Sequence, residues 1–136
     1  MKDGKGITGL KKYGRSMAKI KTHNEDCEAV LGESFEHVHR WMDELAKKYN
    51  PFIHLEYHRQ FRHHAEAVAY VKEKWGFYAE RAAKLHIIRD NEMYLPGVYP
   101  IQAIREDMID ELYEKALKYC HPIRKGWENE SLEHGK

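Results

Sequence analysis

Apolar residues recur at spacings of three and four along most of the chain. No stretch alternates convincingly at period two, so the pattern predicts helices and no sheet. Phe35, Val38, Met42, Leu45 and Tyr49 form one stripe with Ser34 ahead of it as the expected N-cap, which predicts a helix over 35–49. Asn50-Pro51 ends that helix and opens another, with Asn50 at the cap and Pro51 at the first helical position. Tyr57, Phe61, Ala65, Val68, Val71 and Trp75 carry its stripe to Gly76, the expected stop or sharp bend. Beyond the bend, Tyr78, Ala79, Ala82, Ala83, His86 and Asp90 define a face of small residues that ends in two polar groups. That helix closes at Leu95-Pro96-Gly97, and Pro100 opens a last long one with Ile101, Ile104, Met108, Leu112, Ala116 and Tyr119 as its stripe. The expected fold is all-α, a bundle of about four main helices.

At 136 residues the chain has the length of one domain, with enough apolar content for a core of its own. Charge divides it further. The first 22 residues hold seven cations, among them Lys5, Lys11, Lys12, Arg15, Lys19 and Lys21, against Asp3 alone; this net +6 leaves −5 for the remainder of a chain whose total is +1. The expected organisation is a flexible basic arm over 1–22, a helical bundle over 23–121 and a polar tail over 122–136. A basic, glycine-containing arm suits a phosphate backbone or an acidic protein surface. Gly4-Lys-Gly6-Ile-Thr-Gly9 matches the dinucleotide-binding pattern formally, but no strand can precede it, so the mechanism behind the motif is missing. No apolar run is long enough to cross a membrane and no apolar region follows the N-terminus. The expected location is cytoplasmic, without a membrane partner. Cys27 and Cys120 lie far apart and outside any CxxC pattern, as expected of reduced structural thiols.

The candidate chemistry lies in His54-Leu-Glu-Tyr-His58-Arg59-Gln-Phe-Arg62-His63-His64-Ala-Glu66, which holds four of the ten histidines. Imidazole can be metal ligand, proton carrier or cation near neutral pH. In a helix, His54 and His58 share a face, as do His86 and Asp90. If Gly76 is the apex of an antiparallel hairpin, His86 faces Glu66 and Asp90 faces Arg62. The expected ligands of a divalent Zn, Mn or Fe ion are then His58, His86 and Asp90, with His54 or Glu66 as the fourth ligand, or Glu66 as the base. Arg59 and Arg62 are the expected anion clamp. On the structural alternative, Arg62–Asp90 and Glu66–His86 are pairs that set helix register, His63 is a surface residue and His64 a capped core histidine. His39 either reaches the cluster or, as expected more often, stays at the surface beside Trp41.

Three segments also carry a resemblance: His39-Arg-Trp41-Met-Asp43, then His58-Arg59-Gln-Phe-Arg62-His63-His64-Ala-Glu66, then His86-Ile-Ile-Arg-Asp90 followed by Pro96. The chain from about Asp26 to Met108 resembles a small family of bacterial and phage proteins with HxWxD, HRxxRHHxEG and HxxxD segments. Ala67 stands where that pattern has glycine. The resemblance carries no activity. It implies that His39, Asp43, His58, Arg59, His63, His64, Glu66, His86 and Asp90 belong to one constellation, and that the chain is of phage or mobile-element origin, acting in the host cytosol.

Two functions are compatible with these residues. One is a metal-assisted hydrolase of a nucleotide or nucleic-acid phosphate ester. The other is a non-catalytic phage or mobile-element component or inhibitor that docks through its arm. On the docking reading, deletion of residues 1–22 abolishes nucleic-acid or partner binding that is steeply salt-dependent in the full chain; undiminished binding by the truncated protein contradicts it.

Overall fold

The computed structural model describes residues 19–49, 62–97 and 100–120. They form five α-helices: α1 (Ile20–Leu31), α2 (Glu36–Tyr49), α3 (Ala65–Trp75), α4 (Phe77–Asp90) and α5 (Ile109–Leu117). Three single turns of 3-10 helix, Glu92–Tyr94, Ile101–Ala103 and Glu106–Met108, link α4 to α5. The described fold is all-α, and no described helix is long and apolar enough to cross a membrane. Helix α1 begins inside the stretch assigned to the basic arm. Lys19 and Lys21 are exposed there, with Lys21 paired to Glu25 at 3.5 Å, whereas Lys5, Lys11, Lys12 and Arg15 lie outside the described residues.

Helix α4 is the centre of the fold and packs against α1, α2, α3 and α5. Ala79, Ala82 and Ala83 let its neighbours approach closely, while Leu85, Ile87 and Ile88 fill the spaces between them. Its buried residues point in nearly every direction, so α4 is enclosed rather than amphipathic. Its first turn is the most exposed part, through Phe77 and Tyr78, while Lys84 and Arg89 keep partial exposure further on. Tyr78 was expected on the buried face; its position next to the Gly76 bend turns it outward instead.

The predicted elements are interrupted in three places. Helix α2 starts one residue late, because Phe35 adopts φ 54° and its carbonyl accepts the amides of Val38 and His39. Phe35, not Ser34, therefore occupies the cap position. The helix expected to run from Pro51 to Trp75 is broken at His63 and His64: His64 is extended, and its Nδ1 accepts the Ala67 amide at 3.2 Å as the N-cap of α3. Arg62, His63 and His64 are buried in succession, which one face of a continuous helix could not achieve. The last helix is shorter than its stripe suggests. Ile104 and Arg105 are extended, because Ile101 and Ile104 at i, i+3 suit a 3-10 turn as well as an α-helix, and that turn packs on α1.

Ion pairs, buried at Asp26 and exposed at Asp110, tie the connections down. Asp26 of α1 accepts two bonds from Arg89 of α4, both at 2.7 Å, and a third from Gln102 at 3.1 Å. Arg81 donates to Asp110 of α5 and to the Glu106 carbonyl, which also accepts the Ile109 amide. Lys84 donates to the same Asp110 at 2.8 Å, and the two cations hold that carboxyl below its ordinary pKa, Lys84 contributing most.

Gly76 separates α3 from α4 with φ 105° and ψ 179°, a region open essentially to glycine alone. A Cβ there would meet no atom within 4 Å, so a substitution is opposed by backbone conformation rather than by packing. Gly76→Ala is expected to lower unfolding free energy by about 1–3 kcal/mol in urea denaturation. A change below about 0.5 kcal/mol would mean the α3–α4 bend does not depend on this geometry.

Candidate metal centre

Polar residues gather on the inner side of α4, where α1, α2 and the segment ahead of α3 meet it. His86 and Asp90 are one turn apart on α4, α1 contributes His23, α2 contributes His39 and Asp43, and the break before α3 contributes His63. All but Asp43 are fully buried; the Asp43 side chain keeps 14 % exposure.

Four ligand atoms converge. His86 Nε2 lies 3.0 Å from Asp43 Oδ1 and 3.5 Å from Asp90 Oδ2. His63 Nε2 lies 3.2 Å from Asp90 Oδ2 and 3.7 Å from Asp43 Oδ1. Two histidines and two carboxylates bonded to one ion at about 2.1 Å in tetrahedral array would stand about 3.4 Å apart. The four spacings straddle that value, and all pairs of these atoms lie within 4.8 Å. The mixture of imidazole and carboxylate suits Zn, Mn or Fe.

His39 sits behind this set. Its Nε2 lies 2.9 Å from the Ser34 carbonyl and its Nδ1 3.0 Å from His86 Nδ1. A carbonyl can only accept, so His39 Nε2 carries a hydrogen. Burial, reinforced by His86 and His23, pushes the His39 pKa down to about 2, so the ring is neutral and Nδ1 is its acceptor. His86 must then donate from Nδ1 to His39. A neutral His86 consequently turns the Nε2 lone pair toward Asp43 and Asp90, where only a proton or a cation relieves the opposition of lone pair and carboxylates. The relay from Ser34 through His39 to His86 is the second-layer arrangement that aims a histidine at a metal.

A second convergence, of His23, His39 and His86, shares His86 with the first. The His23 and His86 rings stack face to face, with centroids 3.6 Å apart and planes 11° from parallel. In-plane lone pairs of parallel stacked rings do not meet at one point, so these two histidines cannot both hold the same ion in good geometry. The His63 ring, tilted 58° to His86, can share one.

The structure distributes the expected site residues unevenly. His39, Asp43, His63, His86 and Asp90 come together. The surface positions expected for His39 and His63 are corrected: both are fully buried. His39 is carried inward by the helical register of α2, and His63 is freed by the chain break to point away from Arg62. His64 is the cap of α3. Glu66, expected as ligand or base opposite His86, is exposed on the first turn of α3, because the break shifts the register on which that pairing depended. Arg62, expected beside Asp90 or as anion clamp, is buried; it donates to Glu44 at 2.9 Å and to the Trp41 carbonyl at 2.7 Å, with its guanidinium 4.1 Å over the Trp41 ring. His54, His58 and Arg59 lie outside the described residues.

His23 was missed. The predicted helices begin only at residue 35, although His23, Cys27 and Val30 at i, i+4 and i+7 already mark the inner face of α1. Cys27 is not among the converging ligand atoms, and burial, with Asp26 and Glu28 nearby, pushes its thiol pKa far up. Cys27 and Cys120 are both buried, and neither is in a disulfide.

No known protein family, curated protein or solved structure matches the chain.

His39 makes acid stability a measurable property of the cluster. Its pKa of about 2 in the fold lies below the value of about 6.5 in an unfolded chain, so under pH 6.5 the unfolded state binds the extra proton. The contribution is complete above that pH and falls by up to about 1.4 kcal/mol per unit below it. In denaturation series from pH 7 to pH 4.5, His39→Gln is expected to show a shallower loss of stability than wild type. Parallel slopes would contradict a neutral buried His39.

Proposed function

We propose that the protein is a metal-dependent hydrolase of phosphate esters of the nucleotide or nucleic-acid type, with one divalent ion held by Asp43, His63, His86 and Asp90. The observation that carries this reading is the spacing of those four ligand atoms inside the core, together with a hydrogen-bond relay that leaves the His86 Nε2 lone pair directed at them. A divalent ion there would supply Lewis acidity to a phosphoryl oxygen and would bring the pKa of a water close to neutral. The two carboxylates balance the ion's charge. His39 holds the His86 tautomer, and α4 holds His86 and Asp90 in register. The half-buried Asp43 marks the side of the cluster nearest solvent, where a phosphate would approach. Arg62 orders the chain ahead of His63 through Trp41 and Glu44 rather than clamping substrate. We also propose that the chain is related to the bacterial and phage family it resembles, a reading supported by the convergence of His39, Asp43, His63, His86 and Asp90, all positions of that pattern.

Protein purified without a histidine tag is expected to retain stoichiometric Zn, Mn or Fe by elemental analysis and to hydrolyse bis-p-nitrophenyl phosphate or a nucleotide ester. Asp90→Ala is expected to lose both the metal and at least about 100-fold in rate while keeping its helical circular dichroism. Absence of any divalent-metal binding would refute the site. Metal binding without hydrolysis of any phosphate ester would refute the activity alone.

A further inference from the structure

The four-ligand set leaves His23 unexplained. Its ring is fully buried, and neither ring nitrogen makes a hydrogen bond among the described residues. Burying an imidazole without partners is unfavourable by roughly 1–3 kcal/mol, so a native structure retains one only where something else satisfies it. Its Nε2 approaches Asp90 Oδ1 to 3.3 Å, near enough for an ion pair but misaligned for a hydrogen bond. Such an offset is what a shared cation produces, because each lone pair then points at the ion and not at the opposite atom.

The stacked rings give the second half of the argument. His23 and His86 each present Nε2 to the same carboxylate, His23 to Oδ1 at 3.3 Å and His86 to Oδ2 at 3.5 Å. Their planes are nearly parallel and 3.6 Å separates the ring centres. Ions lying in the two ring planes would be separated by a similar distance, and metal pairs that act jointly on phosphate esters stand about 3.5–4 Å apart.

We infer that the cluster is a two-metal centre, in which Asp90 bridges a first ion held with Asp43, His63 and His86 and a second ion held by His23. This inference rests on the proposed metal site and extends it. The two positions differ in kind. The first has four protein ligands, whereas the described residues give the second only His23 and one oxygen of Asp90, so its other positions suit water and the phosphoryl oxygens of a substrate. His39 belongs to neither, since its Nδ1 is occupied by the His86 proton.

The test is a Mn²⁺ titration of chelator-treated, untagged full-length protein, read by calorimetry, by elemental analysis after gel filtration and by electron paramagnetic resonance. Wild type is expected to take two ions per chain and to develop a spin-coupled pair signal on filling the second. His23→Ala is expected to take one ion, at an affinity within about threefold of the wild-type first site, and to show only the isolated Mn²⁺ signal. His23→Gln preserves volume and polarity and is expected to behave as His23→Ala; it replaces that variant if circular dichroism shows the alanine protein misfolded. Saturation of wild type at one ion, or two ions in a folded His23 variant, overturns the two-metal centre and leaves the single site standing. Wild type that binds none overturns both.

Discussion

The structure depends on an enclosed helix that carries polar groups. Helix α4 touches every other described helix, yet it places His86 and Asp90 at full burial. A polar group in such a position costs several kcal/mol if unpaired, and an isolated carboxylate costs more. Each neighbour meets this constraint with a polar group of its own: His23 from α1, His39 and Asp43 from α2, and His63 from the segment before α3. The alanines of α4 belong to the same solution, since close approach of the helices brings those side chains within reach.

Local irregularities coincide with the cluster. Phe35 adopts a left-handed conformation just where the Ser34 carbonyl is turned to His39. Non-glycine residues in that region carry about 1–3 kcal/mol of strain, sustained here by packing of Phe35 on the core and by the relay it supports. The break at His63 and His64 has the same character. It ends helical register, converts one histidine into a cap and releases the other toward Asp90. Arg62, stacked on Trp41 and bonded to its carbonyl, fixes the approach of that segment. The pair Asp26–Arg89 ties α1 to α4 one residue from Asp90, so the histidine contributed by α1 is held by an interaction outside the cluster.

Chemically, the buried set is short of protons or cations. Two carboxylates and four imidazoles share a small volume, and His39 is held neutral by its surroundings. On the proposed reading, divalent ions would supply the missing positive charge without the geometric demands of hydrogen bonds, and would account both for the spacing of the ligand atoms and for the misaligned contact of His23 with Asp90.

The helical class, the bend at Gly76, the face that ends in His86 and Asp90, and the inertness of both cysteines were legible in the sequence, because periodicity, glycine conformation and cysteine spacing are local properties. Asp43 entered only through the resemblance, which implied that it shares one constellation with His39. Which histidines meet was not local. The sequence drew attention to His58 and Glu66 through a continuous helix, and the chain instead breaks at His63, since capping α3 with His64 and burying three successive residues together outweigh one more turn of helix. Helical spacing marks His23 as inward-facing, but its place in the cluster was decided by the packing of α1 on α4, a contact between segments some sixty residues apart. Residue types and local periods thus determined the fold class and the candidate ligands, while tertiary packing decided which of them converge, because burial of a polar group is settled by what the rest of the chain brings to it.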